Sequence, residues 1–307
     1  MELLRFNVKD GNFGDDLNDW FWDEALPGWR SWDADGVLMG VGTILKRGFV
    51  PVGCRKLVIG AGAGYGGLAD VKTSPDEWDI RCVRGPQTAA ALGVPGDLGI
   101  VDPAVLLADF HCFTDWRSRS SRREALFVPH YASCKKYNWR EICRGTGLTL
   151  LDPSGDAKEI IARLSRAKVV IAESLHAAIV ADAFGTPWRR LAISKAFNEF
   201  KWDDWEKSLA IDAKSARMWE YMRRAQDFAG RIHGKMISKA ERNNVASAPV
   251  RFDPPKGVLG YVLESSARKT LRSIAAQPFY LSDRSVLAKK KAALWAVLDG
   301  VKRDYIS

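Results

Sequence analysis

Two of the four histidines in the 307-residue sequence directly follow apolar runs. His130 closes Ala125–Pro129, and His176 follows Lys168–Ala172 by way of Glu173-Ser174-Leu175. Imidazole is the side chain whose ordinary pKa suits proton transfer near neutrality. Parallel α/β sheets bind ligands beyond the carboxyl ends of their strands, so histidines at such ends point to acid–base work. A structural role competes with it, and Ser174 also fits a plain N-cap for a helix running to Phe184. Arg84 ends a third run, Ile80–Arg84, and Pro86 marks a helix start just beyond it. A guanidinium beside a helix N-terminus favours a phosphate, a bound carboxylate or a salt bridge within the protein. Asp15 and Asp16 lie in Asn12-Phe13-Gly14-Asp15-Asp16-Leu17-Asn18, after the first apolar run. Gly40-Val41-Gly42 and Gly60-Ala61-Gly62-Ala63-Gly64 follow two others, where glycine brings backbone close to a ligand or simply makes the turn. The stretch Gly60–Gly64 lacks dinucleotide-fingerprint spacing, and no P-loop occurs. Trp20, Trp22, Trp29 and Trp32 offer either sugar-stacking faces or core packing.

These residues need strands to position them. The runs suited to buried strands are Leu3–Val8, Gly36–Val41, Lys56–Gly60, Ile80–Arg84, Ala125–Pro129, Thr149–Leu151, Lys168–Ala172 and Arg189–Ile193. Helical patterns lie between several of them, as at 156–164, where Asp156 and Glu159 have capping-box spacing. Such alternation predicts an α/β fold with parallel sheets. The polar, Ser- and Arg-rich stretch 114–124 reads as a linker between two Rossmann-like domains, 1–113 and 125–210. Residues 211–307 read as a basic, mostly helical segment, with Val286, Leu287, Leu294, Leu298 and Val301 as an apolar stripe.

With 47% hydrophobic and 27% charged residues, the composition is that of a soluble globular protein rather than a disordered one. No apolar run is long enough to span a bilayer, and the start lacks the features of a secretory signal. Five cysteines without C-x-x-C pairing fit reduced thiols in the cytoplasm and argue against a disulfide framework or a zinc site. The net charge of +9 is carried wholly by residues 211–307, which hold 19 Lys+Arg against 9 Asp+Glu. Such a segment suits nucleic acid, an anionic membrane surface or acidic glycans, or is a solvated helical face.

The ordered set of motifs carries a resemblance. The 12–18 stretch, Gly40-Val41-Gly42, Gly60-Ala61-Gly62, Val83-Arg84-Gly85-Pro86-Gln87-Thr88, Gly99–Leu106 with Asp102-Pro103, Pro129-His130-Tyr131, and Glu173–Ala177 with Gly185-Thr186-Pro187 occur in that sequence. Together, over roughly 5–210, they resemble the polysaccharide pyruvyltransferase family, particularly its succinoglycan-type ketalase branch. The resemblance implies a GT-B-like fold, two Rossmann-like domains facing across a cleft. It implies transfer from phosphoenolpyruvate to two hydroxyls of one sugar in an exopolysaccharide or other cell-surface glycan precursor, giving a cyclic ketal and phosphate. No nicotinamide, nucleotide or metal is implied, and no nucleic-acid partner. The family's Arg-Leu-His triplet maps onto Ser174-Leu175-His176, so one anion-binding arginine is a serine here.

On that resemblance His176 is expected as general acid, gaining its proton when the donor binds, and Asp15 or Asp16 as acceptor of the hydroxyl proton. Arg84, His130, Ser174, Gly42, Gly62 and the Arg189-Arg190 pair are the expected substrate-binding residues. Were the acceptor lipid-linked at the inner membrane face, Lys289-Lys290-Lys291 would dock on anionic lipid, each contributing about 1 kcal/mol. The competing readings are a GT-B-type nucleotide-sugar glycosyltransferase and a non-catalytic glycan- or polyanion-binding protein.

Overall fold

The computed structural model describes residues 1–306 except 34, 114–123, 136, 194–196 and 219–257. The expected linker therefore lies outside the described residues but for its last position, as does much of the basic segment.

Each of the eight apolar runs contributes a strand, and all pair in parallel. The first sheet has the order β1 (Glu2–Leu3), β2 (Val37–Met39), β3 (Lys56–Ile59), β4 (Trp78–Cys82). In the second, β5 (Ala125–Val128) lies between β6 (Leu148–Leu150) and β7 (Val169–Ala172), followed by β8 (Trp188–Ala192) and β9 (Ala216–Arg217). The strand bounds shift by up to two residues at β2 and β4, and the larger departures from the sequence expectation are at β1 and β9. β1 is shorter than Leu3–Val8, because β2 ends at Met39 and offers nothing to pair with beyond Leu4. The two-residue β9 extends the second sheet past position 210.

The helices begin with α1 (Phe13–Asp16) and α2 (Asn18–Ala25), then α3 (Pro86–Leu92), opened by Pro86 as expected. In the second half come α4 (Tyr131–Cys134), α5 (Trp139–Cys143), α6 (Ala157–Ser165), α7 (Leu175–Ala183) and α8 (Glu199–Ser208). Asp156 caps α6, accepting from the Glu159 N–H at 2.9 Å. Two helices follow the segment left undescribed, α9 (Val258–Ala275) and α10 (Arg284–Ile306).

Alternation along the strands sorts their side chains into three layers. Val37, Met39 and Val58 face an outer cluster under the first sheet, and Phe127, Ile171 and Leu191 face another under the second. Their neighbours Leu38, Leu57, Ile59, Leu126, Val128, Val170 and Ala172 meet in one cluster common to both sheets. Trp22 and Trp29 are fully buried there, and Trp20 packs edge-on against Phe113, so the tryptophan cluster is packing. Apolar on nearly every side, α7 runs through this shared layer against the 3-10 segment Pro103–Asp109.

α10 closes the layer. Leu287, Leu294, Leu298 and Val301 enter the shared cluster, while Val286 is only half-buried. Its start is tied to α7 through Asp182, which accepts from the Ser282 N–H at 2.9 Å and from Arg284 at 2.8 Å. Its end reaches the first sheet, where the Tyr305 hydroxyl donates to Asp79 at 2.8 Å. Lys291, midway, pairs with Asp109.

Candidate active site

The strand order of the second sheet reverses between β5 and β7, so the connections leaving these strands diverge. His130 follows β5, and Glu173-Ser174-Leu175-His176 follows β7. Both segments border one cavity of about 410 Å³, whose other wall comes from the carboxyl ends of the first sheet. Asn12 and Asp15 reach it after β1, Thr43 and Lys46 after β2, and Tyr65 after β3. Asn198 and Lys201, at the start of α8, complete it beside Tyr131.

His176 is the second residue of α7, with 13% of its side chain exposed. Its ring lies against the backbone of α1, so close that a Cβ on Gly14 would fall 2.1 Å from Nδ1. Glycine at 14 is thus a condition of the ring's position. Burial first, then the charges of Lys201, Arg84 and His130, push the imidazole pKa down to about 3. Asp15 moves the opposite way: burial raises it to about 6, against the Asn12 amide, which donates to it at 2.6 Å. The site therefore holds a neutral imidazole and a weakly acidic carboxyl facing the same space. Ser174 occupies the N-cap position of α7, yet its hydroxyl makes no capping bond and borders the cavity. His130 caps α4, its Nδ1 accepting from the Ala132 N–H at 3.4 Å, while the backbone N–H of His130 donates to the Glu173 carboxylate at 2.9 Å.

The adjacent aspartates part company. Asp16 faces away, accepting from Arg5 at 3.3 Å and from the Asn12 N–H at 2.8 Å. Arg84 is also withdrawn from the cavity. It is 1% exposed, its Nε donates to Asp204 at 3.1 Å, and its other nitrogens donate to Thr43 Oγ1 at 2.8 Å and the Ala63 carbonyl at 2.7 Å. Asp204 further accepts from the Gln87 and Thr88 N–H groups, both at 2.9 Å, at the start of α3. The anion gathered by Arg84 and this helix start is thus the protein's own carboxylate. Gly62 makes room for it, since a Cβ there would lie 2.2 Å from the guanidinium carbon. Gly42 belongs to the same support: its carbonyl accepts from the Gly62 N–H at 2.8 Å. Arg189 and Arg190 lie elsewhere. Arg189 donates to the Pro278 carbonyl and Gln277, and Arg190 is held by Asp203 at 2.8 Å, Glu206 at 3.0 Å and Glu199.

Positive charge at the cavity comes instead from Lys46 and Lys201, which sequence reasoning passed over. Lys46 Nζ lies over the Phe6 and Phe49 rings, and Lys201 Nζ is 3.2 Å from the Tyr65 hydroxyl. Neither is in an ion pair among the described residues. The signals were present: Lys46 stands four residues past the Gly40-Val41-Gly42 turn, and Lys201 lies three residues after Asn198, whose side chain caps α8. Among the described residues no cluster of three or more His, Cys, Asp or Glu is placed to hold a metal ion. No helix among them is long and apolar enough to cross a membrane.

Comparison with known proteins adds two findings. The profile of the family described as polysaccharide pyruvyl transferase matches residues 6–195. A Rhizobium meliloti (strain 1021) protein described as succinoglycan biosynthesis protein ExoV is 40% identical, over 99% of this chain and 100% of its own length. No solved structure matches.

Proposed function

The chain belongs to the polysaccharide pyruvyl transferase family, and from that premise we propose that it moves the pyruvyl unit of phosphoenolpyruvate onto two hydroxyls of one sugar in an exopolysaccharide precursor. The observation that carries this reading is the cavity itself, which gathers Asp15, His176 and the two lysines Lys46 and Lys201. The donor carries a phosphate and a carboxylate, and the lysines supply fixed positive charge for both. They also supply what Ser174 lacks in place of the family's arginine. The N-terminus of α7 adds backbone N–H groups to that field. A bound polyanion reverses the bias of these cations against imidazolium, so His176 takes up a proton as the donor binds.

The steps balance around these groups. One sugar hydroxyl adds to the donor's central carbon and gives its proton to Asp15, while His176 protonates the methylene carbon. The carbon–oxygen bond to phosphate then breaks, and phosphate leaves with the electron pair and the proton held by Asp15. The second hydroxyl closes the ring on the same carbon and returns a proton to His176. Tyr65, 41% exposed, and Tyr131 offer ring faces for the acceptor sugar. Two parallel sheets with their carboxyl ends on one cavity support the GT-B-like reading of the fold.

Thermal unfolding with phosphoenolpyruvate tests this function. At 100 times the dissociation constant a ligand adds about 2.7 kcal/mol, roughly 4 °C for a chain of this length. The shift is expected for wild type and should be lost in Lys201→Ala. A shift with a nucleotide sugar and none with phosphoenolpyruvate would transfer the assignment to glycosyl transfer. No shift with either would favour a non-catalytic glycan-binding protein.

The same reading extends to the acceptor's setting, a lipid-linked precursor at the cytoplasmic face of the membrane. Lys289 is exposed and Lys290 half-buried on α10, whereas Lys291 is committed to Asp109. Co-sedimentation with anionic vesicles should exceed that with neutral ones and weaken with salt. Indifference to both lipid charge and salt would remove the membrane from the proposal.

A further inference from the structure

Two buried polar atoms have no hydrogen-bond partner, Nε2 of the cavity-lining His176 and Oδ2 of Asp102. They face each other at 3.8 Å. Buried side-chain polar atoms are mostly bonded, so two orphans opposite one another call for an explanation. Both groups are otherwise fixed. Asp102 Oδ1 accepts from the Ala104 N–H at 3.0 Å, capping the 3-10 segment against which α7 packs. The imidazole is held over Gly14, so Nδ1 lies beside the start of α1, the element that brings Asn12 and Asp15 to the cavity.

We propose that Asp102 is a positioning residue for His176: Nε2–H donates to Oδ2, which fixes this tautomer and leaves Nδ1 to take and give the proton. The inference rests on His176 being the acid of the proposed reaction. Catalytic hydrogen bonds are often long before the reactants bind, and here an approach of about 1 Å completes the bond. Lys201, Arg84 and His130 all oppose a charge on this ring. Asp102 is the carboxylate within ion-pair distance of it among the described residues, and it is where the second N–H of an imidazolium would be held. The proton delivered to the methylene carbon leaves from Nδ1, and the Nε2 proton stays in place throughout.

The test is ring-nitrogen NMR on the full chain with 15N-labelled histidine, the His176 signals being those absent from His176→Gln. At neutral pH the wild type should be protonated at Nε2. Asp102→Asn keeps an oxygen for the Ala104 N–H but can turn an amide N–H toward Nε2, so the proton should move to Nδ1. A role confined to capping would leave the tautomer untouched. Protonation at Nδ1 in the wild type, or the same tautomer in both proteins, overturns the proposal. The wild-type spectrum decides even if the variant does not fold. Phosphoenolpyruvate added to the same sample tests the function separately: a His176 signal that ignores it counts against the donor and leaves the tautomer result standing.

Discussion

A neutral His176 is bought with acid sensitivity. Its pKa falls from 6.5 to about 3 on folding, so between these values the unfolded chain binds a proton that the folded one refuses. Stability contributed above pH 6.5 is thus lost as pH falls toward 3, at about 1.4 kcal/mol per pH unit. Asp15 and Asp102 act in the other direction, since burial raises both from 3.8 to about 6. Their contribution is full below 3.8 and disappears as pH rises through 6. His176→Gln removes only the first effect, so its urea midpoint should fall less than that of wild type between pH 7 and pH 4. Equal declines would show that the imidazole is not buried uncharged. In the sequence, His176 and Asp15 were legible because each follows a strand end. Asp102 was visible only as part of a motif, since its meeting with His176 depends on how two helical segments pack, and no local pattern encodes that.

Arg84 and Asp204 do at the level of elements what the sequence suggested a ligand would do. They tie the end of β4, the start of α3, the glycine turn and α8 into the frame that carries Thr43, Asn198 and Lys201. Removing one partner strands a buried charge, so Arg84→Ala should lower unfolding stability by about 3–5 kcal/mol. Arg84→Met combined with Asp204→Asn should recover part of the loss, as measured by urea unfolding. A stable Arg84→Ala protein that has merely lost donor binding would place the guanidinium in the cavity after all. The strands themselves were readable, because parallel strands covered on both faces appear as continuous apolar runs. β9 was not, since two residues make no run. For Arg84 the sequence supplied the right attraction but not its partner, which lies 120 positions away.

Across the whole molecule the shared middle layer matters most. Both sheets, α7 and α10 contribute to one buried cluster, so neither half covers its inner face alone. Calorimetry should show a single cooperative transition, and Leu294→Ala in α10 should shift all of it, at a cost of about 2–5 kcal/mol. Two separated transitions, with only one of them moved, would mean that the halves fold independently. Composition located the basic C-terminal segment and its apolar stripe, yet helical periodicity does not reveal what such a stripe will cover. Here it covers the seam between the sheets.

That seam is closed by a helix that follows both sheets in the chain. At 5–20 residues per second, the ribosome needs on the order of ten seconds to pass from β9 to the end of α10. Until α10 is available, the two sheets lack the cover that completes their shared layer. A chain cut short before Arg284 therefore presents apolar surface of both sheets to chaperones and proteases instead of a closed core.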